Sequence, residues 1–264
     1  MGEHFLKCKY CGSDLDHFYY FCKICATPYK NIDDAVPKVA SLTSSDPEII
    51  RTKSPQVISM FWTFLIGVIL SSILFNFSLS AENYLIPLVI SNLILAFITL
   101  YYSIIYWPSI KAQFINIGIF NIYFALSLIL LCAMLYINFA YNRWLISLSP
   151  DSEYNIIELL NNNNVNNFLI ILTICVTPAI VEEISFRGLI QHWLTVVINS
   201  PKAIIISAGM FSIMHFDILS FPYLFLLGCL LGWIKKRTNS LYPPIILHFL
   251  HNYAVITILS KYNE

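Results

Sequence analysis

The sequence predicts an all-α polytopic membrane protein, a bundle of about seven to eight transmembrane helices preceded by a small zinc ribbon. Of the 264 residues, 58% are hydrophobic and only 11% are charged, whereas a soluble domain is typically about 25% charged. The apolar residues fall into several runs of membrane-spanning length. The zero net charge gives no sign of a nucleic-acid partner. We expect no secretory signal peptide, because the start of the chain lacks an apolar run.

Residues 1–30 form a polar unit with two C-x2-C pairs, separated by ten residues. Four thiolates at this spacing suit one tetrahedral structural Zn²⁺, and the unit is similar to a short zinc ribbon. A closed site of four cysteines leaves no open position for catalysis, so we expect a module that docks a protein partner or regulates the chain. The ligands are Cys8, Cys11, Cys22 and Cys25.

A linker follows at residues 31–56, and we expect it to be flexible because it is rich in proline, serine and mixed charges. Residues 57–264 form the predicted membrane domain. The fourth apolar run is too long for one straight span, so we expect a helix followed by a second half-helix after Gly188. A polar loop is expected at Tyr141–Asn167. The predicted runs are Val57–Leu79, Leu85–Tyr106, Phe114–Ala140, Phe168–Ile198, Ala203–Phe216, Phe221–Ile234 and Ile245–Leu259.

The distribution of basic residues predicts a cytoplasmic N-terminus. With that orientation, all but two of the fifteen Lys and Arg residues, Arg143 and Lys261, fall on the cytoplasmic side. The positive-inside rule favours this arrangement. The same placement argues against disulfides among the N-terminal cysteines, since thiols stay reduced in the cytoplasm.

Ionisable groups within the apolar segments are the main clue to function, because each costs roughly 2.5–3.5 kcal/mol at membrane depth. Glu183 and Arg187 are one helical turn apart and can pair, whereas Glu182 points about 100° away. His248 and Asn252 also share a helix face, and His215 lies near the end of another helix.

Together these side chains suit hydrolysis. A desolvated carboxylate can take a proton from water, and a histidine can hold that water. An amide and a second histidine can donate hydrogen bonds to an oxyanion. Because no Ser or Cys nucleophile lies beside a base in the sequence, direct attack by water is favoured. A buried ion network with only a structural role is the alternative for Glu182, Glu183 and Arg187.

Three motifs resemble the CAAX prenyl protease and bacteriocin-processing (CPBP, or ABI) family. They are E-E-x-x-x-R at Glu182, F-x-x-x-H at Phe211 and H-x-x-x-N at His248, within about Ile170–Ile258. The resemblance implies an intramembrane glutamic-type endopeptidase in a prokaryotic cell membrane, acting on a membrane-associated peptide or protein. It implies Glu182 as base, His215 as its water-activating partner, His248 and Asn252 as the oxyanion site, and Glu183 and Arg187 as support.

Two alternatives remain open at this point. In the first, the chain is a non-proteolytic membrane adaptor or bacteriocin self-immunity protein that recruits a partner through its ribbon. In the second, Glu182, His215 and His248 bind zinc as a metallopeptidase. The second is less favoured, because the sequence has no H-E-x-x-H motif and Asn is a poor zinc ligand.

Metal analysis of the purified full chain distinguishes these zinc sites. We expect one zinc per chain, lost on deletion of residues 1–30, because the four ribbon thiolates bind it. The variant Cys132→Ser, which changes a cysteine of an apolar segment, should keep the metal. A second zinc that survives the deletion would contradict a metal-free membrane site and favour the metallopeptidase.

Overall fold

The computed structural model describes residues 47–78, 85–115, 117, 121–148 and 166–261. The predicted ribbon and the first part of the predicted linker lie outside these residues. The described residues contain eight helices and no strand, which confirms the all-α prediction. The helices are α1 (Pro47–Ser78), α2 (Leu85–Ile105), α3 (Trp107–Gln113), α4 (Ile122–Leu148), α5 (Asn167–Val197), α6 (Ser200–Ile213), α7 (Phe221–Thr238) and α8 (Tyr242–Lys261).

Three of these helices are long and apolar enough to cross a membrane: α1 within Pro55–Ile73, α4 within Ile122–Trp144, and α5. Helices α2 and α3 add a fourth candidate as a pair bent by 101°. Helix α6 has 14 residues, about 21 Å, and is shorter than the hydrocarbon layer of roughly 30 Å. The described part of the chain is therefore a helical membrane bundle in which long and short helices are mixed.

Two predicted boundaries are wrong. Helix α1 begins at Pro47, inside the predicted linker, since proline is well tolerated at the first helical position, where its missing N–H has no partner to lose. The third apolar run does not form one helix from Phe114. Instead α4 begins at Ile122, where the Asn121 side chain accepts from the Phe124 N–H at 3.0 Å. Helix α4 then continues to Leu148, into the predicted loop.

Helix α5 is continuous, so the predicted break after Gly188 is also wrong. Two segments of α5 are wound as π-helix, at Ile171–Val176 and Ile184–Ile190. A Cβ at Gly188 would lie 3.1 Å from side-chain carbons of both Ile110 and Leu241. Gly188 therefore lets Ile110 and Leu241 pack closely against α5, and it does not end the helix.

The bundle packs around α5, which contacts α1, α2, α3, α6, α7 and α8. One apolar cluster joins α1, α2, α5 and α6, with Phe64 and Trp193 among its buried members. A second joins α4, α7 and α8 around Leu131 and Leu247. The candidate residues of the membrane site lie on α5, on α8 and on the loop after α6, so this packing brings them to one region.

Helices α6 and α7 lie close together at Gly228, where a Cβ would lie 2.9 Å from the Ala208 Cβ and 3.0 Å from its Cα. We expect Gly228→Ala to lower the free energy of unfolding by about 1–3 kcal/mol, because the backbone of α6 must move. The matched control is Gly209→Ala, since a Cβ at Gly209 meets no atom within 4 Å. That variant should be neutral or more stable by up to about 1 kcal/mol, because alanine favours helix. Thermal unfolding in detergent measures both, and equal destabilisation would contradict the packing argument.

Candidate active site

The centre of the site is the carboxylate of Glu183, which is fully buried on α5. Its Oε1 accepts a hydrogen bond from Arg187 Nη1 at 2.9 Å and one from His248 Nδ1, also at 2.9 Å. The side chains of Glu183 and Arg187 both have 0% exposure. Since a buried charge is tolerated only with a partner, Glu183 and Arg187 depend on each other. The pair expected from the sequence spacing is thus present, and it also fixes the ring of His248.

Arg187 joins two further helices to this centre. Its Nη2 donates to the carbonyl oxygen of Gly228 on α7 at 3.3 Å. Its guanidinium carbon lies 4.5 Å from the ring centroid of Phe211 on α6, a favourable cation–π distance. The Phe211 ring in turn meets the rings of His215 and His248 edge-on, with centroids 4.7 and 5.9 Å apart. The Phe211 ring therefore contacts both histidines of the site.

Glu182 has a different environment from its neighbour. Its side chain is 21% exposed, and its Oε2 lies 3.9 Å from His248 Nε2. That oxygen is itself buried and has no hydrogen-bond partner among the described residues. The separation is too long for a direct hydrogen bond. The two adjacent glutamates therefore differ in burial and in contacts. Glu183 is fully buried and its Oε1 accepts two hydrogen bonds, although its Oε2 has no partner among the described residues. Glu182 is partly exposed, and its Oε2 has no partner either.

A cavity of about 100 Å³ opens beside Glu182, and His215 lines it too. This volume has room for several water molecules. His215 follows the end of α6, and its Nδ1 lies 2.8 Å from the carbonyl oxygen of Phe211. Because a carbonyl only accepts, Nδ1 carries the proton, and neutral His215 has its lone pair on Nε2. The cavity thus combines a carboxylate with an imidazole held in one tautomer.

Neither His248 nor Asn252 is among the residues that line the cavity. The Asn252 Nδ2 donates to the carbonyl oxygen of Ile174 on α5 at 3.1 Å, and the Asn252 Oδ1 accepts from His251 Nδ1 at 2.9 Å. The structure therefore brings Glu182, Glu183, Arg187, His215 and His248 together. The Asn252 amide lies apart from this group, bound to the backbone carbonyl of Ile174.

Sequence reasoning missed two residues with a similar role. Asn92 on α2 donates to the Thr173 carbonyl at 2.9 Å, and Gln113 on α3 donates to the Gly188 carbonyl at 2.9 Å. These carbonyls, like that of Ile174, belong to the π-wound segments of α5, where the shifted hydrogen-bond pattern frees acceptors. An amide side chain within or beside an apolar run was the available signal, since such groups seldom go without partners in membranes.

The metallopeptidase alternative finds no support in this geometry. Among the described residues, no group of three or more His, Cys, Asp or Glu side chains is arranged to hold a metal ion. The four predicted zinc ligands of the ribbon lie outside these residues, so the ribbon stays a prediction.

A protein-family model matches part of the chain. Residues 164–254 match the family model described as type II CAAX prenyl endopeptidase Rce1-like. The match supports the CPBP family. At the level of that CPBP family it supports a CAAX-type intramembrane endopeptidase, and the matched segment contains every membrane site residue from Glu182 to Asn252. The N-terminal ribbon region and helices α1 to α4 lie outside it. Searches of curated proteins and of solved structures gave no significant match.

The Glu183–Arg187 pair makes a prediction that is independent of activity. We expect Arg187→Met to destabilise the protein by about 3–5 kcal/mol, because it leaves Glu183 as a buried charge without its cation. Adding Glu183→Gln to Arg187→Met should recover much of that loss, since it removes the uncompensated charge. Thermal unfolding in detergent of the two single variants and the double variant measures this coupling. Lys236→Met, at an exposed position of α7, is the control, and strictly additive losses would contradict the pairing.

Proposed function

We propose that this protein is an intramembrane endopeptidase of the glutamic type, which hydrolyses a peptide bond of a membrane-associated substrate with water activated by Glu182. The observation that carries the proposal is the placement of Glu182. Its side chain lines the cavity, and its Oε2 is buried without a hydrogen-bond partner among the described residues, 3.9 Å from His248 Nε2. The family match supports the peptidase class, and the geometry supports the roles of Glu182, His215 and His248.

The charges of the site define one transferable proton. The charges of Glu183 and Arg187 cancel, and Glu183 accepts two hydrogen bonds, as an ionised carboxylate does. A single proton shared by Glu182 and His248 then leaves the whole cluster neutral, either as two neutral groups or as a carboxylate and an imidazolium. A neutral cluster is the least costly arrangement in a buried site.

The first step starts from the carboxylate and imidazolium form. A water in the cavity is held by Glu182 and by the lone pair on His215 Nε2. As the water oxygen attacks the carbonyl carbon of the substrate, one water proton moves to Glu182. The proton on His248 Nε2 is donated in a hydrogen bond to the carbonyl oxygen, which becomes the oxyanion. A donor of this kind contributes roughly 2.7–4 kcal/mol.

The second step breaks the carbon–nitrogen bond of the tetrahedral intermediate. Glu182 gives the proton that it received to the leaving amine, so protons balance over the cycle. Asn252 can act as a second donor to the oxyanion only after its Nδ2 leaves the Ile174 carbonyl. Substrate binding must therefore move this amide if it takes part in the chemistry.

The remaining parts of the proposal rest on the sequence. The chain is placed in a prokaryotic cell membrane with its N-terminus in the cytoplasm, embedded in the lipid bilayer. Its N-terminal zinc ribbon docks a protein partner or the substrate. No feature of the chain requires the substrate to be prenylated.

The decisive variant is Glu182→Gln. We expect it to lower kcat by at least about 10²–10⁴-fold, since an amide cannot accept the proton of the attacking water. Cleavage of a membrane-anchored, quenched fluorescent peptide by protein in liposomes measures the effect. The control is Asp217→Asn, near His215, because the Asp217 carboxylate accepts from the backbone of Leu219 and Ser220. It should retain activity.

The alternatives predict other results. Cleavage by Glu182→Gln at the rate of the unmodified protein would contradict the proposed base. A ribbon-dependent adaptor predicts that Cys8→Ser abolishes function in cells while Glu182→Gln leaves it intact. The proposed peptidase predicts loss of function with Glu182→Gln.

A further inference from the structure

A third histidine, His251, lies on α8 next to Asn252 and takes no part in the proposed chemistry. Its side chain is buried, and its Nδ1 lies 2.9 Å from Asn252 Oδ1. Because an amide oxygen only accepts, Nδ1 carries the proton and donates to it. An ionisable side chain at membrane depth is costly and usually has a function. The contact with Asn252 is where such a function can be sought.

The second ring nitrogen of His251 shows that the imidazole is neutral. Its Nε2 is buried and has no hydrogen-bond partner among the described residues. The ring packs against that of Tyr223 on α7, with centroids 5.5 Å apart. A charged imidazolium would bury an Nε2–H without an acceptor, which is unfavourable. The neutral ring therefore has a single N–H, and Asn252 receives it.

The Asn252 amide is held at both ends, by contacts of different kinds. Its Oδ1 accepts from the adjacent residue of the same helix, so this contact moves with α8. Its Nδ2 donates to the Ile174 carbonyl, which belongs to the first π-wound segment of α5. The second contact joins two helices and is the one that must break before Nδ2 can reach the substrate. The amide is thus tied by its oxygen and releasable by its nitrogen.

This polarity determines what the amide can offer to an oxyanion. An N–H group stabilises a negatively charged oxygen, whereas the amide oxygen would repel it. The two ends of an amide are nearly alike in shape, so hydrogen bonds decide which way it points. An amide released from Ile174 with no donor at its oxygen could present either end. A donor at Oδ1 leaves only Nδ2 free, and it also polarises the amide towards a stronger N–H.

We propose that His251 is a positioning residue, which holds Asn252 by its oxygen so that the amide presents only its N–H to the oxyanion. This inference rests on the proposed peptidase function, with Asn252 as the second oxyanion donor. His251 does not touch the substrate, and its proton stays on Nδ1 throughout the reaction.

The first test compares variants that keep or lose this N–H. We expect His251→Leu to lower kcat about tenfold with little change in KM, because it weakens a contact made only in the transition state. His251→Asn should recover most of the kcat, since its amide nitrogen lies near the position of Nδ1. Cleavage of the membrane-anchored quenched peptide in liposomes measures both. The control is Tyr223→Phe, which keeps the ring beside His251 and removes a hydroxyl without a partner among the described residues. It should keep the kcat of the unmodified protein.

The second test separates positioning from a structural role by repeating His251→Leu in Asn252→Ala. A residue that acts through Asn252 has no further effect on kcat once that amide is gone, so the two losses should not add. Thermal unfolding in detergent of the four proteins reports stability independently. An equal fall in kcat in both backgrounds overturns the inference, and so does a kcat that follows stability and is not restored by His251→Asn.

Failure of the inference and failure of the function give different results. Absence of Glu182-dependent cleavage in the unmodified protein overturns the proposed function and this inference with it. Cleavage that needs Glu182 but is unchanged by Asn252→Ala, or by His251→Leu, overturns the inference alone. Should the leucine variant misfold, His251→Gln takes its place. Its amide nitrogen lies near the position of Nε2, not of Nδ1, so kcat should stay low, and a normal kcat would overturn the inference.

Discussion

The site depends on one buried carboxylate with two donors. Glu183 accepts from Arg187 on its own helix and from His248 on α8, and Arg187 extends the connection to α6 and α7. Taking a carboxylate and a guanidinium out of water costs several kcal/mol per ion, so the pair stabilises little by itself. Its importance is geometric, because four helices must hold their relative positions for the charges to remain compensated. The position of His248 Nε2 against Glu182 follows from that constraint.

The two π-wound segments explain how α5 can both pack the bundle and carry the candidate site. A π-helical turn leaves carbonyl oxygens without their usual partner, and such turns often occur at functional sites. Here Asn92, Gln113 and Asn252 donate to those carbonyls from three other helices. The bundle thereby satisfies polar backbone at membrane depth, where water is absent. Glu182 and Glu183 lie on the α-helical stretch between these two segments, held from both sides.

Helical spacing was enough to predict the local part of the site. The four-residue interval gave the Glu183–Arg187 pair, and the 100° turn between neighbours predicted that Glu182 would point elsewhere. The carbonyls to which the Asn252 and Gln113 side chains donate could not be predicted in this way, because they belong to the backbone of another helix. The continuity of α5 was missed for a related reason: Gly188 looks like a break in sequence, and only its neighbours Ile110 and Leu241 show that close approach requires it. The contribution of α1 to the cavity was equally hidden, since Phe64 resembles any other residue of an apolar span in the sequence.

Gly228 illustrates how packing and charge are linked at a single position. Its missing side chain lets α7 lie against Ala208, and its carbonyl oxygen receives Arg187. A larger residue there would shift the same backbone that holds the guanidinium. The guanidinium would then move relative to Phe211 and to the Glu183 carboxylate that positions His248. In a mutational scan scored by activity, Gly228 would therefore rank with the chemical groups, although it has no side chain to take part in the reaction. Comparing activity with protein abundance at this residue would show how far the membrane site tolerates movement between its helices.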